Sequence, residues 1–264
     1  MRTIKFSRVN ISNHTIEQRT DYISEDIPIH IFLNTRHYGT ILCSPNQLKE
    51  MVIGHLLAEG ILNSIKEIDD INLKKDGKCL VTFRPGINIE QRIVKSQRFD
   101  RLIVSSCGSP SYQPISELIK NLPKMNMKFS VSAKVISDSM KQLNIIAKEY
   151  RKTGGVHVAA LFSIYGKLLA LAEDVGRHNA VDKVIGIYAT KHEDFTKIFL
   201  ALSGRLTGDI VIKAARTRIP LIASLSAAIN SGIDIAILTK ISLVGFVRGS
   251  RMNIYTCPER IVLN

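Results

Sequence analysis

The sequence predicts an α/β protein: a mixed sheet with helices on both faces, preceded by a smaller N-terminal α+β part. Two observations carry that expectation. Wholly apolar runs such as IFLALS (198–203) and IPLIASL (219–225) read as strands buried on both faces, and they are separated by segments of helical periodicity. Before them, IPIHIFL (27–33) alternates, as a half-buried strand does. Alternating strands and helices imply a sheet clothed by helices.

Taken in order, NTRHYG turns the first strand into a second, TILC. Ser44, Pro45 and Gln47 form a capping-box start for a helix whose inward face is Leu48, Met51, Val52 and Leu56, and Gly60 ends it. INLKKDGKCLVTFR is a hairpin closed at Asp76-Gly77, with Cys79 as strand filler. Residues 85–128 lose periodicity and gather Pro, Gly, Ser and Lys, the composition of an irregular, partly mobile segment; Cys107 sits in it. From 131 a helix is expected through Tyr150, with Ile136, Met140, Leu143, Ala147 and Tyr150 on one stripe. A hairpin follows, VHVAALFSI and KLLALAED turning near Tyr165-Gly166, then a helix from about His178 with Val181, Val184, Ile185 and Tyr188 inward. DIVIKAARTR and residues 231–240 supply further helices, and SLVGFV and NIYT close the sheet. The expected division is residues 1–128 and 129–264.

Composition narrows the function. The 264 residues are 45% hydrophobic and 22% charged, ordinary for a globular chain, and no run approaches the roughly 18 apolar residues that cross a bilayer. The first fifteen residues hold no apolar signal core, so the expected address is the cytoplasm. Cys43, Cys79, Cys107 and Cys257 lie far apart with no C-x-x-C pair, against both a zinc knuckle and a disulfide scaffold. The net charge of +13 suits a polyanionic partner, or only a basic surface, since the lysines are scattered. Signatures of NAD, P-loop and α/β-hydrolase proteins are absent.

Three stretches are candidates for chemistry. Residues 173–183 crowd Glu173, Asp174, Arg177, His178, Asn179, Asp182 and Lys183 around a helix start. That run suits an anion, or else Asp174 caps the helix while Arg177 and Asp182 pair locally. Ser203, Gly204 and Arg205 follow a buried strand. In GFVRGSRMNIYT (245–256), Arg248 and Arg251 flank Gly249, where the backbone can approach a ligand and two guanidiniums can fork onto phosphate.

TGGVHVAALF, EDVGRHNAVDKVIG, SGR and LVGFVRGSRMNIYT, in that order, resemble the FdhD family of formate dehydrogenase accessory sulfurtransferases, and weaker similarity runs from EDIPIHIFLN through GHLLAEGIL. The resemblance implies a cytidine-deaminase-like core and a homodimer. It implies a sulfur carrier that takes persulfide sulfur from a cysteine desulfurase and passes it to molybdenum bis(molybdopterin guanine dinucleotide), the bound substrate, before formate dehydrogenase receives that cofactor. A guanine nucleotide is the expected mimic. On this resemblance the sulfur falls on Cys107, and the cofactor-binding segment on Phe246, Val247, Arg248, Gly249, Ser250 and Arg251, with no resident metal, nucleic acid or membrane partner. A cysteine on a Gly/Ser/Pro-rich loop has the reach such a relay needs. The chain departs from the family's C-x-x-C: Cys107 is followed by Gly108, Ser109 and Pro110, so the vicinal thiol is missing. That leaves a single-thiol carrier or a cofactor chaperone without sulfur chemistry. A zinc nucleotide deaminase is rejected, because His157 is followed by Val158 and Ala159 rather than by x-Glu.

Overall fold

Strands that alternate faces yet carry apolar residues at every position can only lie between two layers. That is the situation at the centre of the computed structural model, which describes residues 1–94, 122–125, 128–192 and 194–263. β8 (His157–Ser163), β9 (Leu168–Asp174), β10 (Ile198–Leu202), β11 (Leu221–Ser224), β12 (Ser242–Arg248) and β13 (Arg251–Ile254) form one six-stranded sheet in the order β13-β12-β11-β10-β8-β9. β10, β11 and β12 run parallel, and the other neighbours are antiparallel. The carboxyl ends of β9, β10, β11 and β12 and the amino ends of β8 and β13 therefore share one edge of the sheet.

Alternation assigns the two faces. From β10, Ile198, Leu200 and Leu202 join one core with α4 (Arg177–Ala189), α5 (Gly208–Arg216) and α6 (Asn230–Thr239). Phe199 and Ala201 join the opposite core under α2 (Ala133–Ile146), where Phe199 stacks on Phe162 at 5.6 Å. Helices thus cover both faces. The expected single helix from 131 to 150 is instead a two-residue strand β7 (Val131–Ser132), α2, a break at Ala147 and a short α3 (Lys148–Thr153). The break has a tertiary cause: the Glu173 carboxylate accepts the amides of Glu149 and Tyr150, capping a new helix start. β7 pairs with β14 (Ile261–Val262), near the carboxyl terminus.

The N-terminal part is a four-stranded sheet, β4-β3-β6-β5, built from β3 (Ile27–Leu33), β4 (Arg36–Cys43), β5 (Ile68–Leu73) and β6 (Lys78–Phe83). The β3–β4 turn is tighter than expected, with Asn34 at φ 54, and β4 already begins at Arg36. Asp76-Gly77 closes β5–β6 as read, Gly77 at φ 80. Residues 89–94, within the segment expected to be irregular, are helical. Ahead of this sheet a nine-pair hairpin, β1 (Arg2–Asn10) and β2 (Thr15–Ile23), escaped the sequence reading, because polar residues occupy both of its faces and no apolar stripe marks it.

α1 (Leu48–Ala58) shows a correction with consequences. It has no capping box: Gln47 stands at the N-cap at φ 55 with no side-chain cap. Ser44 is used across the molecule instead, its amide donating to Asp174 Oδ2 and its Oγ accepting from Val175 N. Nor does α1 bury only one stripe. Met51, Val52 and Leu56 pack on the N-terminal sheet, while Ile53 and Ala58 belong to the core beneath α4. α1 and α4 touch through glycine: a Cβ on Gly54 would lie 1.7 Å from Asp182 O, and one on Gly186 would lie 1.8 Å from Glu50 O.

Beside this crossing is a buried ion cluster. Lys213 Nζ donates to Glu59 Oε1 at 2.8 Å and to Asp182 Oδ1 at 2.9 Å; Arg216 reaches Glu59 at 3.0 Å, and His55 Nδ1 lies 3.1 Å from Asp182. Burial alone would push Glu59 upward, but Lys213, His55 and Arg216 outweigh it and hold its carboxyl well below the usual range. For Lys213 burial likewise opposes the charge, and Asp182 and Glu59 more than restore it.

Overpacking at a backbone contact costs about 1–3 kcal/mol or more. Gly54→Ala and Gly186→Ala are therefore expected to lower the urea midpoint strongly. Gly39→Ala, where a Cβ meets nothing within 4 Å, should stay near the parent. Lys213→Met takes the shared cation from two buried carboxylates, leaving Arg216 and His55 as their partners, and is expected to cost about 3 kcal/mol in the same measurement.

Candidate functional site

The edge of the sheet defined above carries four connections: 175–176 into α4, 203–207 after β10, 225–229 after β11, and the two-residue turn 249–250 that joins β12 to β13 within the segment 246–251. In open α/β sheets the carboxyl ends of parallel strands are where ligands go. Backbone and side-chain bonds stitch three of these loops together. Ser224 Oγ donates to Gly204 O at 2.6 Å, Leu206 N to Ala227 O at 2.9 Å, and Phe246 N to Ser226 O at 3.0 Å.

Phe246 to Arg251 lie here, where the sequence reading expected a cofactor segment. Strand β12 bulges between Gly245 and Arg248, and Phe246 sits at φ 49, a region that costs a bulky residue about 1–3 kcal/mol. Gly245 makes room for the bulge; a Cβ there would come 3.0 Å from the Tyr255 ring and 3.1 Å from Ser226 O. The bulge turns Phe246 outward, half-buried, with the Arg248 guanidinium 5.6 Å from its ring centre. Arg248 Nε donates to Leu225 O at 3.3 Å, and Ser137 Oγ donates to Gly249 O at 2.7 Å, pinning the turn to α2. A methyl on Gly249 would meet nothing within 4 Å, but its φ of 60 suits glycine. Neither Arg248 nor Arg251 has a carboxylate partner among the described residues, and both are exposed. The result is a strained, basic turn with one aromatic face.

The EDVGRHN stretch departs from the local-pairing reading. Asp174 does organise the turn, accepting from Gly176 N at 2.8 Å and Asn179 Nδ2 at 2.9 Å. Its main partner is Lys183, fully buried at 2.6 Å, which also donates to Ser44 O. Asp182 pairs with Lys213 rather than with Arg177. These buried bonds hold the 175–176 turn, so that Arg177 and His178 emerge at the sheet edge.

There they meet residues from elsewhere in the chain. His157, first residue of β8, pairs in register with Asp174. A Cβ built on Gly204 would lie 3.3 Å from Arg177 Cβ and 3.5 Å from His157 Nδ1, so glycine is what lets those side chains converge over the loop. His178 Nε2 donates to Asp209 Oδ2, while Thr207 Oγ1 and the Ile210 amide bond Asp209 Oδ1. Burial would raise Asp209, but the His178 hydrogen bond and charge, with Thr207 and Ile210, hold it well below the usual carboxylate range. His157 is pushed down from 6.5, first by burial and then by the charges of Arg177, His178 and Arg205, against a smaller upward pull from Asp174. It is therefore neutral at pH 7.

Cys107 lies outside the described residues. Of the other thiols, Cys43 and Cys79 are buried and pushed up to about 11 by burial, and Cys257 is raised the same way. Such thiols are poor nucleophiles. His157 and Asp209 were missed as site residues. The T-G-D start of α5 was a readable signal for Asp209; His157 sits in an unremarkable strand start. No helix among the described residues is long and apolar enough to cross a membrane.

The fold and the site together define a mixed α/β protein with basic, glycine-bearing loops at its strand ends. The particular family follows from comparison. The FdhD/NarQ family model matches residues 24–262, and the chain belongs to that family. It is similar to the sulfur carrier protein FdhD of Sulfolobus acidocaldarius, 35% identical over 266 residues and covering 100% of this chain and 99% of the relative. The sulfur carrier protein FdhD of Methanothermobacter thermautotrophicus is 34% identical, with 91% of each chain covered. That of Staphylococcus aureus is 33% identical, covering 92% and 90%. A crystal structure of a proposed formate dehydrogenase accessory protein from Desulfotalea psychrophila superimposes with a TM-score of 0.79 at 26% identity, covering 99% of both chains.

The lowered His157 sets a testable pH dependence. Below pH 6.5 the unfolded chain takes up a proton that the folded chain refuses, so stability falls with pH until the lower folded value is passed. NMR titration should place the His157 midpoint below 6.5, and His157→Gln should flatten the urea stability profile in that acid window.

Proposed function

We propose that this protein is a sulfur carrier serving formate dehydrogenase, with Cys107 as the sulfur-bearing residue. In loading, the Cys107 thiolate attacks the outer sulfur of a persulfide on a cysteine desulfurase. The donor S–S bond breaks, a new one forms at Cys107, and the donor leaves as thiolate. In delivery the S–S bond at Cys107 breaks, the cysteine leaves as thiolate, and the outer sulfur passes to molybdenum bis(molybdopterin guanine dinucleotide). The reduced metal of that substrate supplies the two electrons that convert sulfane sulfur to sulfide. The substrate is received on the turn Phe246, Val247, Arg248, Gly249, Ser250 and Arg251.

The observation that carries this reading is the strained basic turn at the sheet edge. Phe246 offers a face for a guanine, and Arg248 and Arg251 offer unneutralised guanidiniums for its phosphates. The names of full-length relatives support the sulfur-carrying half. The same proposal takes the six-stranded sheet with helices on both faces as a cytidine-deaminase-like core within residues 129–264, with residues 1–128 as the part that ends in the Cys107 segment. It takes the working unit as a cytoplasmic homodimer.

A second reading is favoured by one observation, Pro110 in the position of the missing thiol: a chaperone that binds the cofactor without carrying sulfur. The two separate on intact mass after incubation with a cysteine desulfurase and cysteine. A carrier gains one sulfur in the parent chain and none in Cys107→Ala, and Cys107→Ala fails to activate formate dehydrogenase. Full activation by Cys107→Ala selects the chaperone. Arg248→Ala and Arg251→Ala are each expected to weaken GDP binding about tenfold by calorimetry, the scale of one charge-assisted contact.

A further inference from the structure

We propose that Arg177, Arg205 and His157 form a separate oxyanion subsite at the same sheet edge, one that takes a phosphoryl or pyrophosphoryl group. This rests on the reading of the edge as a receiver of a phosphate-bearing substrate, and it adds a contact point that the 246–251 turn does not supply.

The three side chains come from three elements: the first turn of α4, the loop after β10, and the start of β8. Gly204, next to Arg205 in the chain, has no side chain where Arg177 and His157 Nδ1 both approach, 3.3 and 3.5 Å from the position a Cβ would take. Arg177 is poorly provided for. Its Nε is buried with no hydrogen-bond partner, and its guanidinium stands 3.8 Å from Asp209. That carboxylate is already engaged by His178, Thr207 and the Ile210 amide. A buried donor without an acceptor is destabilising, and a ligand oxygen would remove the deficit. Arg205 is exposed and has no ion pair among the described residues. α4 begins at Arg177 after an N-cap glycine, Gly176, with no side-chain cap, so its first-turn amides add partial positive charge beside the three side chains.

Charge explains the choice of His157 for the third position. Between two arginines a third full cation would be repelled; a neutral imidazole still offers one N–H to an oxyanion. A bound dianion would offset those arginines and pull the imidazole back towards protonation. The groups facing it are Arg177, His178 and Arg205 on the cationic side and Asp174 on the acidic side, and Asp174 is committed to Lys183. Chemistry of this kind selects tetrahedral oxyanions carrying two or more charges.

The test is calorimetry on the full chain at constant ionic strength, with inorganic pyrophosphate as one ligand and GDP as the other. Pyrophosphate affinity is expected to fall at least about tenfold in Arg177→Gln and in Arg205→Gln, and to be unchanged in Lys75→Gln, an exposed lysine in the β5–β6 turn. Arg205 is exposed, so its variant tests the subsite even if Arg177→Gln folds poorly. By NMR, pyrophosphate should raise the His157 titration midpoint in the parent chain and not in Arg205→Gln. Equal pyrophosphate affinity in the parent and Arg205→Gln, or a His157 midpoint unmoved by millimolar pyrophosphate, overturns the subsite, whatever GDP does at Arg248 and Arg251. If the pyrophosphate effects hold while sulfur loading of Cys107 or GDP binding fails, the cofactor reading is at fault and the subsite stands.

Discussion

The close crossing of α1 over α4 is the constraint on which the rest depends. Two glycines, Gly54 and Gly186, bring the helix backbones together so tightly that neither position has room for a methyl group. Contact at that range excludes water, and the charged groups flanking it must then satisfy one another. They do so through Lys213, Asp182, Glu59, Arg216 and His55. Removing water makes each such bond stronger and each missing partner more expensive, so the N-terminal sheet and the six-stranded sheet are held in one relative position.

That position reaches the functional edge through a second buried pair. Lys183 follows Asp182 on α4 and binds Asp174 at the end of β9, with Ser44 of the N-terminal part bonded to the same carboxylate. Asp174 in turn shapes the turn from which Arg177 and His178 emerge. The cationic cluster over Gly204 is thus braced by ionic bonds that never meet solvent. A rigid support of this sort lets like charges be kept close together, which a loop would relax by moving apart. The turn at 246–251 is braced by other means, a bulge at Gly245, a left-handed Phe246 and the Ser137 bond, so two basic features are fixed independently on one edge.

Much of the fold was legible because its central strands are apolar runs, its half-buried ones alternate, and its helices are marked by period. IFLALS, IPLIASL and the Asp76-Gly77 hairpin sit where pattern placed them, and so does the helix bearing Val181, Val184, Ile185 and Tyr188. The failures share a cause. Ser44, Gln47 and Ala147 all looked like members of local motifs, and in each case a group more than twenty residues away takes the bond: Asp174 from the Ser44 amide, the Leu171 carbonyl from Gln47 Nε2, and Glu173 from the amides that follow Ala147. The β1–β2 hairpin failed for the opposite reason: with polar residues on both faces it has no pattern to read, only pairing.

From the chain alone came the alternation of buried strands and helices, the order of the motifs, the lone thiol at position 107 with Pro110 beyond it, and the arginines around Gly249. These are properties of spacing and residue type, and neighbours along the chain suffice to express them. Only the tertiary structure decided which ions pair: Asp174 with Lys183, Asp182 with Lys213, and Asp209 closely with His178 and at 3.8 Å with Arg177. It also brought His157 beside Arg177 and Arg205. Charge acts through space, and residues twenty to fifty positions apart become neighbours only when the strands of a mixed sheet deliver their ends to one edge.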